Sequence, residues 1–304
     1  MAVNLSAIKD LLLPGLRGVE GKYEMIPSQY DKIFTKHDSK LALERTAEMR
    51  YLGLAQLKTE GGQTSFDNGA GERYVYNQEH VEIGLGYAIT RKAIDDNVYK
   101  TQFHPSNLGL VESFQQTKEI YGANILNTAQ TYNTQVGGDG VALCGTTHPS
   151  DYGPLANTFA TQADLNEAIL LNSMVAIRVN FRDQAGLKVF ARGRKLIVPP
   201  QLEPVAIRLT KTELRPGTAD NDVNAIHTAA GGLPEGYMVM DFLTSPYAWF
   251  ILTNIDGLAY MERVKFETDM QVDFVTDNLL VKAYERYSFG YYNWRSIFGS
   301  FPTS

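Results

Sequence analysis

Residues 59–71 (TEGGQTSFDNGAG) constrain this chain more than any other stretch. The segment is rich in glycine and holds one large apolar side chain, Phe66, so it has little to bury and cannot pin itself into a core. The sequence on either side reads as strand. Residues 51–58 (YLGLAQLK) precede it, and in residues 72–90 Ile83, Leu85, Tyr87 and Ile89 alternate with smaller or polar neighbours. The simplest structure is a long hairpin whose tip projects from the body that carries it. Such an arm is unusual in a monomeric enzyme.

The rest of the chain can build a core, since 44% of its 304 residues are hydrophobic and only 20% charged. A short helix pattern from Ser6 to Leu13 is stopped by Pro14 and Gly15, and a second amphipathic piece follows Pro27 and Ser28. From 106 to 131, Leu110, Phe114, Tyr121 and Ile125, flanked by Val111, Ile120, Leu126 and Ala129, recur at three- and four-residue steps. This predicts a long helix, weakened at Gly109 and Gly122. Residues 137–158 are turn-rich. Thr161 and Asp164 then suggest a capping box for a helix to about Val179, with Leu165, Ile169, Val175 and Val179 facing inward. A buried strand at 195–198, a Pro199-Pro200 turn, a short helix through Leu209 and a polar loop at 215–236 follow. The last third reads as strands at 237–243, 247–253, 258–264 and 270–298, crowded with aromatic residues. The pattern is α+β.

Candidate chemistry is sparse. Cys144 is the only cysteine, which excludes an intrachain disulfide framework and a Cys-rich zinc site, and suits a reducing compartment such as bacterial cytoplasm. Cys144 and His148 could be imagined as a nucleophile and its base. The apolar run Val141, Ala142, Leu143 instead marks a buried structural thiol, and His148 before Pro149 reads as turn material. The histidines, His37, His80, His104, His148 and His227, show no metal-ligand spacing. Gly84 and Gly86 sit inside a strand and read as close strand packing, and Asp139 as a tight turn. No catalytic, cofactor-binding or metal residue is expected, and the chain reads as a non-enzyme. No apolar run approaches a membrane span, and residues 1–10 lack a basic start followed by an apolar core, so neither an anchor nor a signal peptide is expected. The net charge of −6 argues against a dedicated nucleic-acid binder.

Four blocks then appear in order: GTTHPSDYGPLANT at 145–158, RKLIVPPQLEPVAIRL at 194–209, YAWFILTNIDGLAYMER at 247–263, and NLLVKAYERYSFGYYNWRSIFGSF at 278–301. With the hairpin and long helix upstream, the chain resembles tailed-bacteriophage major capsid proteins, most nearly the Mu-like major head subunit group. The resemblance implies a shell fold shared with encapsulins and the floor of herpesvirus capsids. It implies an N-terminal arm at 1–50, an extended loop at 51–83, a peripheral domain at 84–159 with the spine helix 106–131, an axial domain at 160–250 and returning peripheral strands at 251–304. It further implies hexamers and pentamers of an icosahedral shell in the virion, enclosing double-stranded DNA without reading its sequence and assembled in the bacterial host cytoplasm. A separate scaffolding protein, a portal and a possible decoration protein would be the partners. Some capsids of this fold weld neighbours through a Lys–Asn isopeptide bond; Lys58 and Asn278 hold comparable places, but no carboxylate is specified between them. Charge fits arm-mediated contact: residues 1–58 carry nine Lys or Arg against seven acids, and residues 59–90 carry five acids against Arg73. An encapsulin-like compartment is the nearest alternative, and a soluble Cys/His enzyme the alternative from another class.

Overall fold

The computed structural model describes residues 12, 16, 18, 21–23, 27–96, 99–213, 223–227 and 232–303. The helix expected at 6–13, apart from residue 12, much of the first half of the arm and much of the 215–236 loop lie outside them. Residues group into two units: 1–43, 79–122 and 260–289 in the first, and 44–78, 123–259 and 290–304 in the second.

The first unit is built on a four-stranded sheet of β1 (Thr35–Asp38), β4 (Val81–Ile89), β8 (Leu258–Val272) and β9 (Leu279–Tyr291), ordered β1-β8-β9-β4. β4 and β9 run antiparallel from Val81 opposite Tyr287 to Ile89 opposite Leu279. The period of two decides which face is covered. Leu279, Val281, Ala283, Glu285 and Tyr287 are buried, while Leu280 and Lys282 between them face out. Helices α1 (Arg91–Asp95) and α2 (Tyr99–Asn127) follow β4. Phe103 of α2 joins Ile89, Ile94, Met270 and Leu279 in one cluster, and Leu110 and Phe114 meet Ala283 in another. α2 starts before the expected position 106 because it runs through Pro105, whose ring removes one backbone hydrogen bond without ending the helix. Gly122 is needed for contact: a Cβ there would lie 3.2 Å from Tyr30 Cβ and 3.4 Å from the Phe289 ring.

The second unit holds a mixed sheet ordered β10-β7-β5-β6, from β5 (Gly193–Val198), β6 (Tyr237–Val239), β7 (Trp249–Thr253) and β10 (Ile297–Ser300). Its centre reads as continuous apolar runs, and Leu196, Ile197, Val198, Trp249, Phe250 and Ile251 are all buried, as expected for strands covered on both faces. α3 (Glu167–Asn180) and α4 (Glu203–Lys211) accompany it. The capping box at Thr161 and Asp164 is not used. Asn166 caps α3 instead, its Oδ1 accepting from Ile169 N at 2.9 Å. That shift turns the helix, so Leu170, Ser173, Met174 and Ile177 face inward, whereas the expected Val175 and Val179 are exposed.

β2 (Leu43–Arg50) and β3 (Gly71–Glu79) form a separate two-stranded ladder. The strand expected at 51–58 therefore lies eight residues earlier, and the 72–90 run is two strands divided at His80. The reason is chemical. On β2 the covered positions hold polar side chains such as Glu48 and Arg50, while the leucines that suggested a strand, Leu52, Leu54 and Leu57, face solvent.

Candidate functional site

Cys144 and His148 fail as a catalytic pair when taken atom by atom. The Cys144 thiol is buried, and burial pushes its pKa well above the ordinary thiol range, so no thiolate is available at neutral pH. His148 is engaged on both nitrogens. Nδ1 lies 2.6 Å from Asp139 Oδ2 and Nε2 lies 3.3 Å from Asn157 Oδ1, while the ring stacks on Trp294 at 4.2 Å. Asp139 also accepts from Val141 N at 3.1 Å, which makes the expected tight turn. Its partnership with His148 had no signal in the sequence.

Asn157 is the hub of this region. Its Nδ2 reaches the carbonyls of Leu143, Trp294 and Ile297 at 2.8, 3.0 and 3.0 Å, and its Oδ1 accepts from Gly145 N at 2.9 Å. Thr158 Oγ1 donates to Gly299 O at 2.8 Å. The first and last of the four sequence blocks therefore meet through backbone hydrogen bonding, and the second and third meet as β5 pairs with β7. These contacts give the four blocks a structural role.

The remaining candidates take ordinary roles. A Cβ at Gly86 would sit 2.7 Å from Val281 O, so this glycine permits close strand approach. His80 is buried between Ser39 Oγ at 2.9 Å and Ser288 Oγ at 3.1 Å, and His227 Nδ1 lies 3.0 Å from Thr210 O. Asn278 Oδ1 accepts from Arg91 N at 3.2 Å, and Lys58 is exposed in the loop. Among the described residues, no three His, Cys, Asp or Glu side chains are grouped to hold a metal, and no helix is long and apolar enough to cross a membrane.

The feature with functional chemistry is residues 51–70. Every residue in it is exposed except Gly53 and Gly62, which are half-buried, and its one turn is closed by Gly62 N donating to Thr59 O at 2.9 Å. It nevertheless carries Tyr51, Leu52, Leu54, Leu57 and Phe66, with Leu57 fully exposed and Phe66 at 85%. This much apolar surface on one segment needs a cover that its own subunit does not give.

The stem below is firmly built. Glu48 Oε1 accepts from Arg295 Nη1 at 2.7 Å and Gln184 Nε2 at 2.8 Å, and Tyr76 of β3 packs edge-on against Tyr291. At the foot of the loop, Asp151 Oδ2 accepts from Arg50 Nε at 2.6 Å and Oδ1 from Arg73 Nη1 at 2.5 Å. These two hydrogen bonds hold the Asp151 carboxyl below the usual carboxylate range. Asp67 accepts from Gly53 N at 2.7 Å and Gly69 N at 2.8 Å, which lowers its pKa in the same way. Sequence reasoning missed this cluster because Asp151 is far along the chain from both arginines.

A family model described as "Phage capsid protein" matches residues 79–299, well over half of the chain. No curated protein matches it in sequence. Among solved structures, the capsid of cyanophage P-SCSP1u is similar at a TM-score of 0.55 and 10% identity, covering 91% of this chain and 89% of that one. The procapsid of bacteriophage JBD30 is similar at 0.53 and 13% identity, covering 99% of this chain and 77% of that one. A virus-like particle from Pyrococcus furiosus reaches 0.50 at 11% identity, covering 94% and 97%. At such identities the structures show the fold alone, and the family match is what distinguishes a phage head from other shells built on it.

Proposed function

The chain belongs to the phage capsid protein family, and on that premise we propose how it closes a shell. It is a major capsid protein, a structural subunit that self-assembles into the capsomers of an icosahedral virion shell. An encapsulin-like role is not favoured, because the matching family is that of phage capsids. The finer reading is that residues 51–70 are the arm by which one subunit grips the next. The observation that carries it is the row of uncovered apolar side chains from Tyr51 to Phe66, on a segment with no partner strand of its own.

In this reading residues 160–250 surround capsomer centres, residues 84–159 and 251–304 form the peripheral domain, and residues 1–50 add a second arm. No step of chemistry is required of the subunit; the buried thiol and the fully engaged His148 support a purely structural role. The acidic net charge suits a wall that encloses DNA without binding it strongly. Assembly would take place in the host cytoplasm with a separate scaffolding protein and a portal. Electron microscopy of the expressed protein tests the reading. Closed polyhedral particles are expected from the full chain, and soluble capsomers or monomers from a chain in which residues 52–69 are replaced by a two-residue turn. Normal particles from the shortened chain would refute the arm.

A further inference from the structure

Arg50 ends β2 and Arg73 lies near the start of β3, so the whole 51–70 loop hangs between these two side chains. Loops of this length with almost no internal backbone hydrogen bonding sample many directions unless something fixes their ends. Here both ends converge on one carboxylate that belongs to neither strand. Asp151 is itself anchored, its N–H donating to Gln184 O at 3.1 Å. Resting on the reading of the loop as an arm, we propose that Asp151 is a positioning residue for shell closure, which fixes the direction in which the loop leaves its subunit.

Further contacts carry that direction outward. Arg50 Nη1 donates to Tyr51 O at 3.2 Å and lies 3.5 Å from Asp67 Oδ1. Asp67 ties the two limbs of the loop together through Gly53 N and Gly69 N. Gly69 packs flat on the arginine, since a Cβ there would fall 2.2 Å from Arg50 Nη1. The sequence of contacts runs Asp151, Arg50, Asp67, then both limbs. Stability is a poor explanation for it, because exposed ion pairs contribute little to folding. Geometry is a good one. An arm held at its working angle loses less freedom on docking, and five apolar side chains reach the neighbour already aimed.

The test uses the full chain with Asp151→Asn, Asp151→Glu and, separately, Gly69→Ala, which displaces the Arg50 guanidinium without touching a charge. The expected thermal midpoint of Asp151→Asn is within about 3 °C of the parent, as for other exposed ion pairs. Its yield of closed particles should fall at least about ten-fold through lost preorganisation, Gly69→Ala should fall in the same direction, and Asp151→Glu should restore most of the yield. A second readout is taken on unassembled subunits, with spin labels at Thr64→Cys and Lys188→Cys in a Cys144→Ala background. The distance distribution should broaden in Asp151→Asn. An unchanged distribution, normal particle yield or loss of cooperative melting in Asp151→Asn each overturns the proposal. Normal closure by Asp151→Asn overturns the clamp only, whereas normal closure by the chain shortened at 52–69 overturns the arm reading beneath it.

Discussion

Replacing Glu285 by Ala should be among the most damaging single changes in the first unit. Its side chain is 1% exposed, with Oε2 2.6 Å from Lys118 Nζ and accepting from Tyr23 Oη at 2.9 Å. Lys118, 4% exposed, has its ammonium 4.9, 5.0 and 5.6 Å from the ring centres of Tyr23, Tyr287 and Tyr260. Taking away one partner of a buried pair costs about 3–5 kcal/mol, because the other charge stays behind without a counter-ion. The stranded Tyr23 hydroxyl adds about 1 kcal/mol, and the three rings offset about 1–2 kcal/mol by cation–π attraction. The net expectation is a loss of about 3–4 kcal/mol. Lys118→Met should cost less, because burial already pushes the Glu285 carboxyl above its ordinary range, and the acid can take up a proton. Lys118→Met with Glu285→Leu should be close to neutral. The pH dependence has a definite sign. A raised carboxyl binds its proton more tightly in the folded state, so its contribution is complete below about 4.3, the unfolded value, and is lost as pH rises through the raised native value. Urea unfolding of unassembled subunits between pH 4 and 8 measures all of this. A Glu285→Ala variant within about 1 kcal/mol of the parent, or one with the parent's pH slope, would refute the assignment.

Three other outcomes are expected. Native Cys144 should resist iodoacetamide at pH 8 by mass spectrometry while the urea-unfolded chain reacts fully, and Cys144→Ala should still assemble at a cost of about 1–2 kcal/mol for the small cavity. His148→Ala should destabilise by about 2–3 kcal/mol in the same unfolding assay, because Asp139, 2% exposed, would lose its hydrogen-bond partner, the Nδ1 that lies 2.6 Å from its Oδ2. Assembly yield measured by light scattering should depend on salt, since attraction between exposed charges is screened over about 10 Å at 0.1 M, whereas the subunit's thermal midpoint should hardly move.

Periodicity made the apolar parts of this fold legible. α2, β5, α4, β7 and the aromatic last strands all stand where three-, four- and two-residue steps put them, give or take their ends. Where charge or a hydrogen bond decides the structure, the pattern misleads. β2 hides its covered positions under Glu48 and Arg50, α3 turns on the Asn166 cap, and α2 runs on through Pro105 to start earlier than its apolar pattern does. The exposed tip of the 51–70 loop was legible because the glycines of 59–71 and their single large apolar neighbour, Phe66, say what the segment cannot do alone. The carboxylate at its foot was not, since pairing at a separation of 101 residues leaves no mark on local sequence.

One side chain sets a limit on how such a protein can drift. Asn157 spreads its two Nδ2 hydrogens over three carbonyls and turns its Oδ1 to one amide and one imidazole; Asp has no side-chain N–H, and Gln is a methylene longer. Any replacement leaves several buried groups without a partner together. This chain shares only 13% identity with the JBD30 procapsid subunit and 10% with the cyanophage P-SCSP1u capsid subunit. A profile weighted on 157 and its partners 143, 145, 148, 294 and 297 should find distant shell proteins that overall similarity leaves undetected.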